Sequence, residues 1–266
     1  MKKSIMATLV GAIMFATVGC GSNDSNLTEL EKIQEKGVLT IGTSADYPPY
    51  EFHSIVDGES KIVGMEMDVA AVIADELGVE LEIKDMRFDG ILAAVNSGTV
   101  DIGISGFTPT EERRQSINFS DQYYSGQAII LVKKENQDKF TSLEDFKDAN
   151  ITVQKGSLQE GIANDQIEAT NLKTLSKIPE VIMDLQNDNA DAVIISSTVA
   201  VGYLNEFEDL EKSNVDLADS GEGVAMAFKK NDDYTLIDKC NEILAELTET
   251  GKIEEFVQNA MELTEE

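Results

Sequence analysis

Hydrophobic positions along this chain fall into two rhythms that take turns. Val38-Leu-Thr-Ile-Gly42 is an apolar run of strand length, and Val69 to Leu77 carries apolar residues at 69, 72, 73 and 77 on one helical face before Gly78. Val79-Glu-Leu-Glu-Ile83 then alternates as a strand with one covered face does. Ile91, Leu92 and Val95 mark a second helix stopped near Gly98, and Asp101-Ile-Gly-Ile104 follows as a strand. Strands alternating with helices predict a mostly parallel sheet covered on both faces.

A second series begins near Asn150. Ile151-Thr-Val153 reads as a strand and Leu158 to Ile167 as a helix. Pro179 to Gln186 makes another helix, Ala192-Val-Ile-Ile195 a strand, and Thr198 to Leu204 a further helix. This pattern predicts a second, smaller α/β lobe. Two apolar extended segments, Gln127-Ala-Ile-Ile-Leu-Val132 and Gly223-Val-Ala-Met-Ala-Phe228, bound it as a two-stranded hinge requires. The tail from Asp232 to Met261 is two helices around Gly251.

Composition changes the picture in three respects. At 266 residues with 42% hydrophobic content, the chain has enough apolar material for two modest cores. Its formal charge of −29 repels nucleic acid and anionic surfaces, so neither is expected as a partner. The acidity itself reads as a solvated, solubilising surface. With one histidine and two cysteines, no His/Cys metal site is expected, and no cofactor either.

The first residues form a targeting segment. Lys2-Lys3 precede an apolar run from Ile5 to Val18, which is short for a bilayer span, and Gly19-Cys20 closes it. A cysteine in that place resembles the lipobox of bacterial lipoproteins, although Thr17 stands where an apolar residue is usual. The expectation is a signal peptide over 1–19, a lipidated Cys20 and a tether to residue 26. Lipidation leaves Cys240 as the remaining thiol, placed in the apolar pattern of a late helix and expected to be buried and inert.

Chemistry concentrates in Ser105-Gly-Phe-Thr-Pro-Thr-Glu-Glu-Arg113 and the residues up to Tyr124. A glycine turn, hydroxyl groups, a helix start and a guanidinium can converge on one small anion. Read from spacing alone, Arg113 is more readily a surface arginine paired with Glu111 or Asp121. Arg114 keeps that surface reading. Tyr47 and Phe88 supply rings on loops, Tyr50 and Phe52 read as core, Asp68 as a helix cap, and His53 as a loop residue.

Gly42-Thr-Ser-Ala-Asp-Tyr-Pro-Pro-Tyr-Glu-Phe52, Val63-Gly-Met-Glu-Met-Asp68, Phe88-Asp-Gly90, Ser105 to Tyr124, Val153-Gln-Lys-Gly-Ser157 and Ala190-Asp-Ala-Val193 follow one another in order. In that order they resemble the extracellular solute-binding proteins, family 3, of polar amino acid ABC importers. The resemblance covers nearly the whole chain after the targeting segment. It implies a periplasmic-binding-protein-like type II α/β fold, two lobes joined by two crossing strands and closing on a ligand. Lobe 1 is then 27–122 with 224–266, lobe 2 is 128–218, and the hinge is 123–127 with 219–223. Carried over by position, Arg113 takes the ligand α-carboxylate, Gly106 and Thr108 stand near its α-amino end, and Ser105 is a further ligand-binding residue. Tyr47 and Phe88 enclose the side chain, and Ser157 and Leu158 add amides from lobe 2. The expected partners are an ABC permease with its ATPase. The expected setting is extracytoplasmic, as a monomer held to the outer face of the cell membrane by lipid alone.

Two positions depart from the family pattern. Ser196 stands where an acid usually meets the ligand ammonium, and Ser44 where many members carry an acid for basic or amide side chains. A buried ammonium without a carboxylate is costly. Glu222 or Asp46 moving in, backbone carbonyls with Ser196, or a ligand lacking an ordinary α-ammonium all answer that cost; the first is preferred. The change at Ser44 argues against arginine or lysine. Two other functions stay in view. One is a dehydratase of the same fold acting on a cyclic carboxylate, with Glu160 or Lys155 as the acid or base; the other is a ligand-sensing module.

Overall fold

A computed structural model of the protein describes residues 27–218 and 221–264, with the backbone alone at Gly221 and Glu222. The targeting segment, Cys20 and its tether lie outside the described residues, as do 219–220 of the second hinge segment and the side chain of Glu222.

The chain opens with α1 (Glu29–Lys36), β1 (Val38–Thr43), β2 (Asp46–Tyr47), β3 (Glu51–Val56), β4 (Glu59–Val63), α2 (Met65–Leu77), β5 (Glu80–Asp85), α3 (Phe88–Ser97), β6 (Ile102–Gly103), α4 (Glu111–Arg114) and β7 (Ile117–Phe119). It crosses on β8 (Tyr124–Lys133) to β9 (Asn150–Gln154), α5 (Leu158–Asp165), β10 (Asn171–Leu175), α6 (Ile178–Gln186), β11 (Ala192–Ser196), α7 (Ser197–Glu206) and β12 (Leu210–Lys212). It returns on β13 (Gly221–Val224) to β14 (Ala227–Lys229), α8 (Thr235–Glu249) and α9 (Lys252–Thr264).

Two large sheets result. The first runs β5-β1-β6-β14-β7, with β1 parallel to β5 and β6 and with β14 antiparallel to β6 and β7. The second runs β10-β9-β11-β8-β12. In it β9 is parallel to β10 and β11, while β8 is antiparallel to β11 and β12. The first half of β8, from Tyr124 to Gln127, pairs instead with β13. These two strands carry the chain between the sheets in opposite directions. A parallel sheet hides both faces, so its strands read as continuous apolar runs. Leu39, Ile41, Ile102 and Ile104 are buried in the first lobe, and Ile130, Val132, Ile151, Val153 and Ile194 in the second.

The helical periodicity holds up in detail. Val69, Ile73 and Leu77 bury one face of α2, and Gly78 and Gly98 end α2 and α3 in the left-handed conformation. Gly64, before α2, has a φ of 129°, and a Cβ there would lie 2.3 Å from the Tyr50 carbonyl oxygen. Only glycine fits this close crossing of two chain segments. Cys240 is buried as expected, and burial pushes its thiol pKa up to about 12.

Three expectations are corrected. Asp68 is an exposed residue inside α2, whose N-cap is Gly64, so it caps nothing. His53 sits in β3 rather than a loop, with Nε2 3.2 Å from Asp85. Tyr47 and Phe88, read as loop residues, stand in β2 and at the start of α3, and residues 46–63 form a third, antiparallel sheet, β2-β3-β4. Its turn is Asp57-Gly58, both at positive φ (57° and 80°), which is the two-residue hairpin that this dipeptide favours.

Candidate functional site

Polar contacts between described residues join the lobes. Arg113 Nη2 donates to Gly156 O (3.0 Å), and Lys155 Nζ lies 3.2 Å from Asp89 Oδ2. Ile178 N–H donates to Asp46 Oδ2 (2.9 Å), and Lys177 Nζ is 3.6 Å from Asp85 Oδ1. Between them is a cavity of about 20 Å³. That is room for little more than a water, so a larger molecule enters by the lobes parting. Its wall combines Ser44, Asp46, Tyr47, Phe88, Ser105, Gly106, Thr108 and Arg113 of one lobe with Gln154, Ser157, Leu158 and Gln159 of the other.

The guanidinium is fixed by its surroundings. Thr110 caps the short α4, its Oγ1 accepting from Arg113 N–H at 3.2 Å. The side chain then turns back, and Nη1 donates to Thr108 O at 2.8 Å. Its Cζ lies 5.8 Å from the Phe88 ring centroid and 5.4 Å from that of Phe107, and the two rings stack at 4.8 Å. The rings exclude water and attract the cation. Arg113 thus belongs to the cavity wall and not to the outer surface of α4. Arg114, by contrast, rests on Phe119 (5.7 Å) and donates to Pro109 O.

The loop after β6 is braced from behind. Ser105 Oγ donates to Glu51 Oε1 (2.6 Å) and accepts from Ser44 N–H (3.1 Å). Gly106 N–H donates to Glu66 Oε2 at 2.8 Å, and the Tyr123 hydroxyl donates to Glu66 Oε1. A Cβ on Gly106 would come within 2.9 Å of the Tyr47 ring, which itself stacks on Tyr50 at 5.3 Å. The Gly106 amide is thus committed to Glu66 behind the loop. Glu51 and Glu66 are fully buried and share a hydrogen bond. Burial, then the charge of Glu66, raises the Glu51 pKa well above the ordinary value. Burial raises Glu66 too, against the opposing bonds from Glu51, Tyr123 and Gly106. Glu51 therefore holds the proton of the pair.

On the facing lobe, Ser157 caps α5, its Oγ accepting from Glu160 N–H (3.2 Å) and donating to Gln154 O (2.7 Å). Burial pushes the Asp89 pKa up, but Arg87 and Lys155 outweigh it and hold the carboxyl below the ordinary value.

Every candidate position from the sequence lines this cavity except Ser196. Ser196 ends β11 against the other strand of the sheet: a Cβ on Gly126 would meet Ser196 Oγ at 2.9 Å, Thr198 Oγ1 at 3.4 Å and Tyr50 OH at 3.6 Å. Its hydroxyl thus faces the foot of β8 rather than the cleft. Sequence reasoning misses Gln154 and Gln159, which flank Ser157 and Leu158 in the same turn. It finds Asp46 only as a possible substitute acid.

Two α/β lobes, a paired crossing of β8 and β13, and a cleft closed by both define a type II periplasmic-binding-protein fold. The chain belongs to the bacterial extracellular solute-binding proteins, family 3, which it matches over residues 39–261. It is 35% identical to the arginine-binding extracellular protein ArtP of Bacillus subtilis over 259 residues, 96% of each chain. The structure of the ABC transporter substrate-binding protein AbpA of Streptococcus pneumoniae bound to L-arginine superposes with a TM-score of 0.85 at 35% identity. That match covers 89% of this chain and 99% of the other. The ancestral amino acid-binding protein AncCDT-1, a precursor of cyclohexadienyl dehydratase, superposes at 0.77 with 31% identity, covering 86% and 98%. The protein is an extracytoplasmic substrate-binding component of an ABC importer. It captures a polar amino acid or related small carboxylate between two closing lobes and delivers it to a membrane permease.

Proposed function

We propose that the ligand is an amino acid with a free α-carboxylate, clamped by Arg113 as the lobes close. The observation that carries this reading is the guanidinium itself. It stands in the inter-lobe cavity between two stacked rings and donates to one carbonyl from each lobe. Carbonyls are weak partners for a guanidinium; a carboxylate forms two parallel charge-assisted bonds with it. Ligand entry replaces the weaker contacts, and bonds made by both lobes favour the closed form.

In this reading the Gly106 carbonyl and the Thr108 hydroxyl accept from the α-ammonium, while Tyr47 and Phe88 enclose the side chain. Ser157, Leu158, Gln154 and Gln159 complete the wall from lobe 2. The hinge bounds are 123–127 and 219–223, and within them residues 124–127 of β8 pair with β13. Cys20 is the lipid-anchored first residue, and the protein acts as a monomer; Cys20→Ser is then expected to shift it from the membrane fraction to the soluble one. The relatives named above are described as amino acid-binding, which supports capture rather than catalysis. Glu160, whose carboxylate accepts from Gly156 N–H at 2.6 Å, and Lys155, paired with Asp89, both stand outside the cavity wall. The dehydratase reading has no acid or base in the cleft from these two.

A thermal-shift screen of amino acids beside their decarboxylated amines tests the proposal. Stabilisation grows as RT ln(1 + [L]/Kd), about 2.7 kcal/mol at a hundredfold excess over Kd. At least one amino acid should raise the melting temperature and its amine should not. A screen in which no amino acid does so contradicts the reading.

A further inference from the structure

Among the described residues that line the cavity, Asp46 is the acidic one. It is buried at 9% exposure, and its two oxygens do different things. Oδ1 accepts from the Ser44 hydroxyl at 2.8 Å, which turns the carboxylate along the same wall. Oδ2 accepts from Ile178 N–H at 2.9 Å. Ile178 is the first residue of α6, and the α6 N-cap, Lys177, gives that helix no side-chain cap. A carboxylate of lobe 1 thus supplies the missing cap to a helix of lobe 2. A carboxylate offers about four acceptor sites, so these two bonds leave acceptor capacity on a residue of the cavity wall.

We infer that Asp46 receives a cationic group on the ligand side chain, a guanidinium or an ammonium, and that it couples recognition of that charge to lobe closure through α6. The inference rests on the cleft being an amino acid site, as proposed above. It also answers the argument drawn from Ser44: the serine carries no charge but hands its hydroxyl to the acid two residues on. A cation closed into a cleft needs a carboxylate partner. With Ser44 and Ser196 both uncharged, Asp46 is the described wall residue that supplies one. Lys177, Asp85 and Tyr203 are the other titratable groups near it, all outside the cavity wall. Gln154 and Gln159 add amide acceptors from the opposite lobe for the remaining N–H groups.

Two substitutions separate the two roles. Asn caps a helix about as well as Asp but carries no charge, whereas Ala removes both functions. Isothermal titration calorimetry with L-arginine and with L-citrulline, its neutral isostere, reads them out. The wild-type protein is expected to prefer arginine by about tenfold or more, the scale of a charge-assisted bond. Asp46→Asn should cut that preference by about tenfold while leaving citrulline within about threefold. Asp46→Ala should weaken citrulline as well, by about fivefold or more, because the bond that ties α6 to lobe 1 is lost. Retention of the arginine preference in Asp46→Asn overturns the charge assignment, and unchanged citrulline affinity in Asp46→Ala overturns the coupling. If the wild-type protein binds other amino acids but not arginine or lysine, this inference fails and the site reading stands. If it binds no amino acid, the site reading itself fails.

Discussion

Behind the ligand loop two glutamates share one proton, and the loop depends on them. Ser105 and Gly106 reach the cleft only because Glu51 and Glu66 hold their hydroxyl and amide from within the lobe. Glu51 binds its proton more tightly folded than unfolded, so the folded state carries more protons above the ordinary glutamate pKa. Stability therefore falls as pH rises from that ordinary value towards the raised one. Glu51→Gln imitates the protonated acid, and urea unfolding between pH 5 and pH 8 is expected to show a flatter dependence with no loss at pH 8. Glu66→Gln removes the carboxylate that accepts from Gly106 and Tyr123, and should cost about 1–3 kcal/mol at either pH. A steeper pH dependence in Glu51→Gln contradicts the shared proton.

Chain order makes much of this site legible. Arg113, Tyr47, Phe88 and the Ser105–Thr108 loop can be placed because they sit in ordered motifs with fixed neighbours. The glutamate pair cannot, since a hydrogen bond between residues 51 and 66 has no periodic signature. One trace exists: Glu66 lies on the stripe of α2 that also carries Val69, Ile73 and Leu77, where an acid is out of place. Ser196 escapes for the opposite reason. Its place beside β11 follows from the apolar run, but which face of the strand looks into the cleft depends on β8 packing beside it.

Elements with a strong repeat announce themselves, and those built on turns do not. Strands β1, β5, β6, β8, β9 and β11 and helices α2, α3, α6, α8 and α9 follow from apolar spacing. The small sheet stays hidden because β3 buries little beyond Glu51 and Phe52, so its alternation is faint. Asp57-Gly58 is the available signal. Glycine meaning also depends on packing, which gives a pair of opposite expectations. Gly64→Ala puts a methyl 2.3 Å from backbone at a φ of 129°, and chemical denaturation should show a loss of about 2 kcal/mol or more. Gly161, inside α5, has nothing within 4 Å of the place a Cβ would take, so Gly161→Ala should gain about 0.5–1 kcal/mol. Equal effects from the two would contradict the packing described at Gly64.

Over the whole molecule, function is the coupling of two lobes through a two-stranded crossing and an apolar cluster that carries residues of both. Each lobe has an apolar cluster of its own, around Phe107 and Ile117 in one and Phe146 and Ile151 in the other, while a third cluster carries residues of both, such as Ile73 and Ile182. Strands β8 and β13 and polar contacts across the closed cleft also join the lobes. Exposed pairs such as Lys155–Asp89 contribute little, about 0–1 kcal/mol. That leaves the ligand to decide the balance, because its contacts to both lobes exist only when they meet.

The most direct measurement is calorimetric titration of the wild-type and Arg113→Met proteins with three matched pairs: arginine and agmatine, lysine and cadaverine, histidine and histamine. The wild-type protein should bind at least one of these amino acids and bind its decarboxylated partner about a hundredfold more weakly, while Arg113→Met should hold both at the weaker level. An amine that binds as tightly as its amino acid, or an Arg113→Met protein with undiminished affinity, would contradict the carboxylate clamp on which the whole account stands.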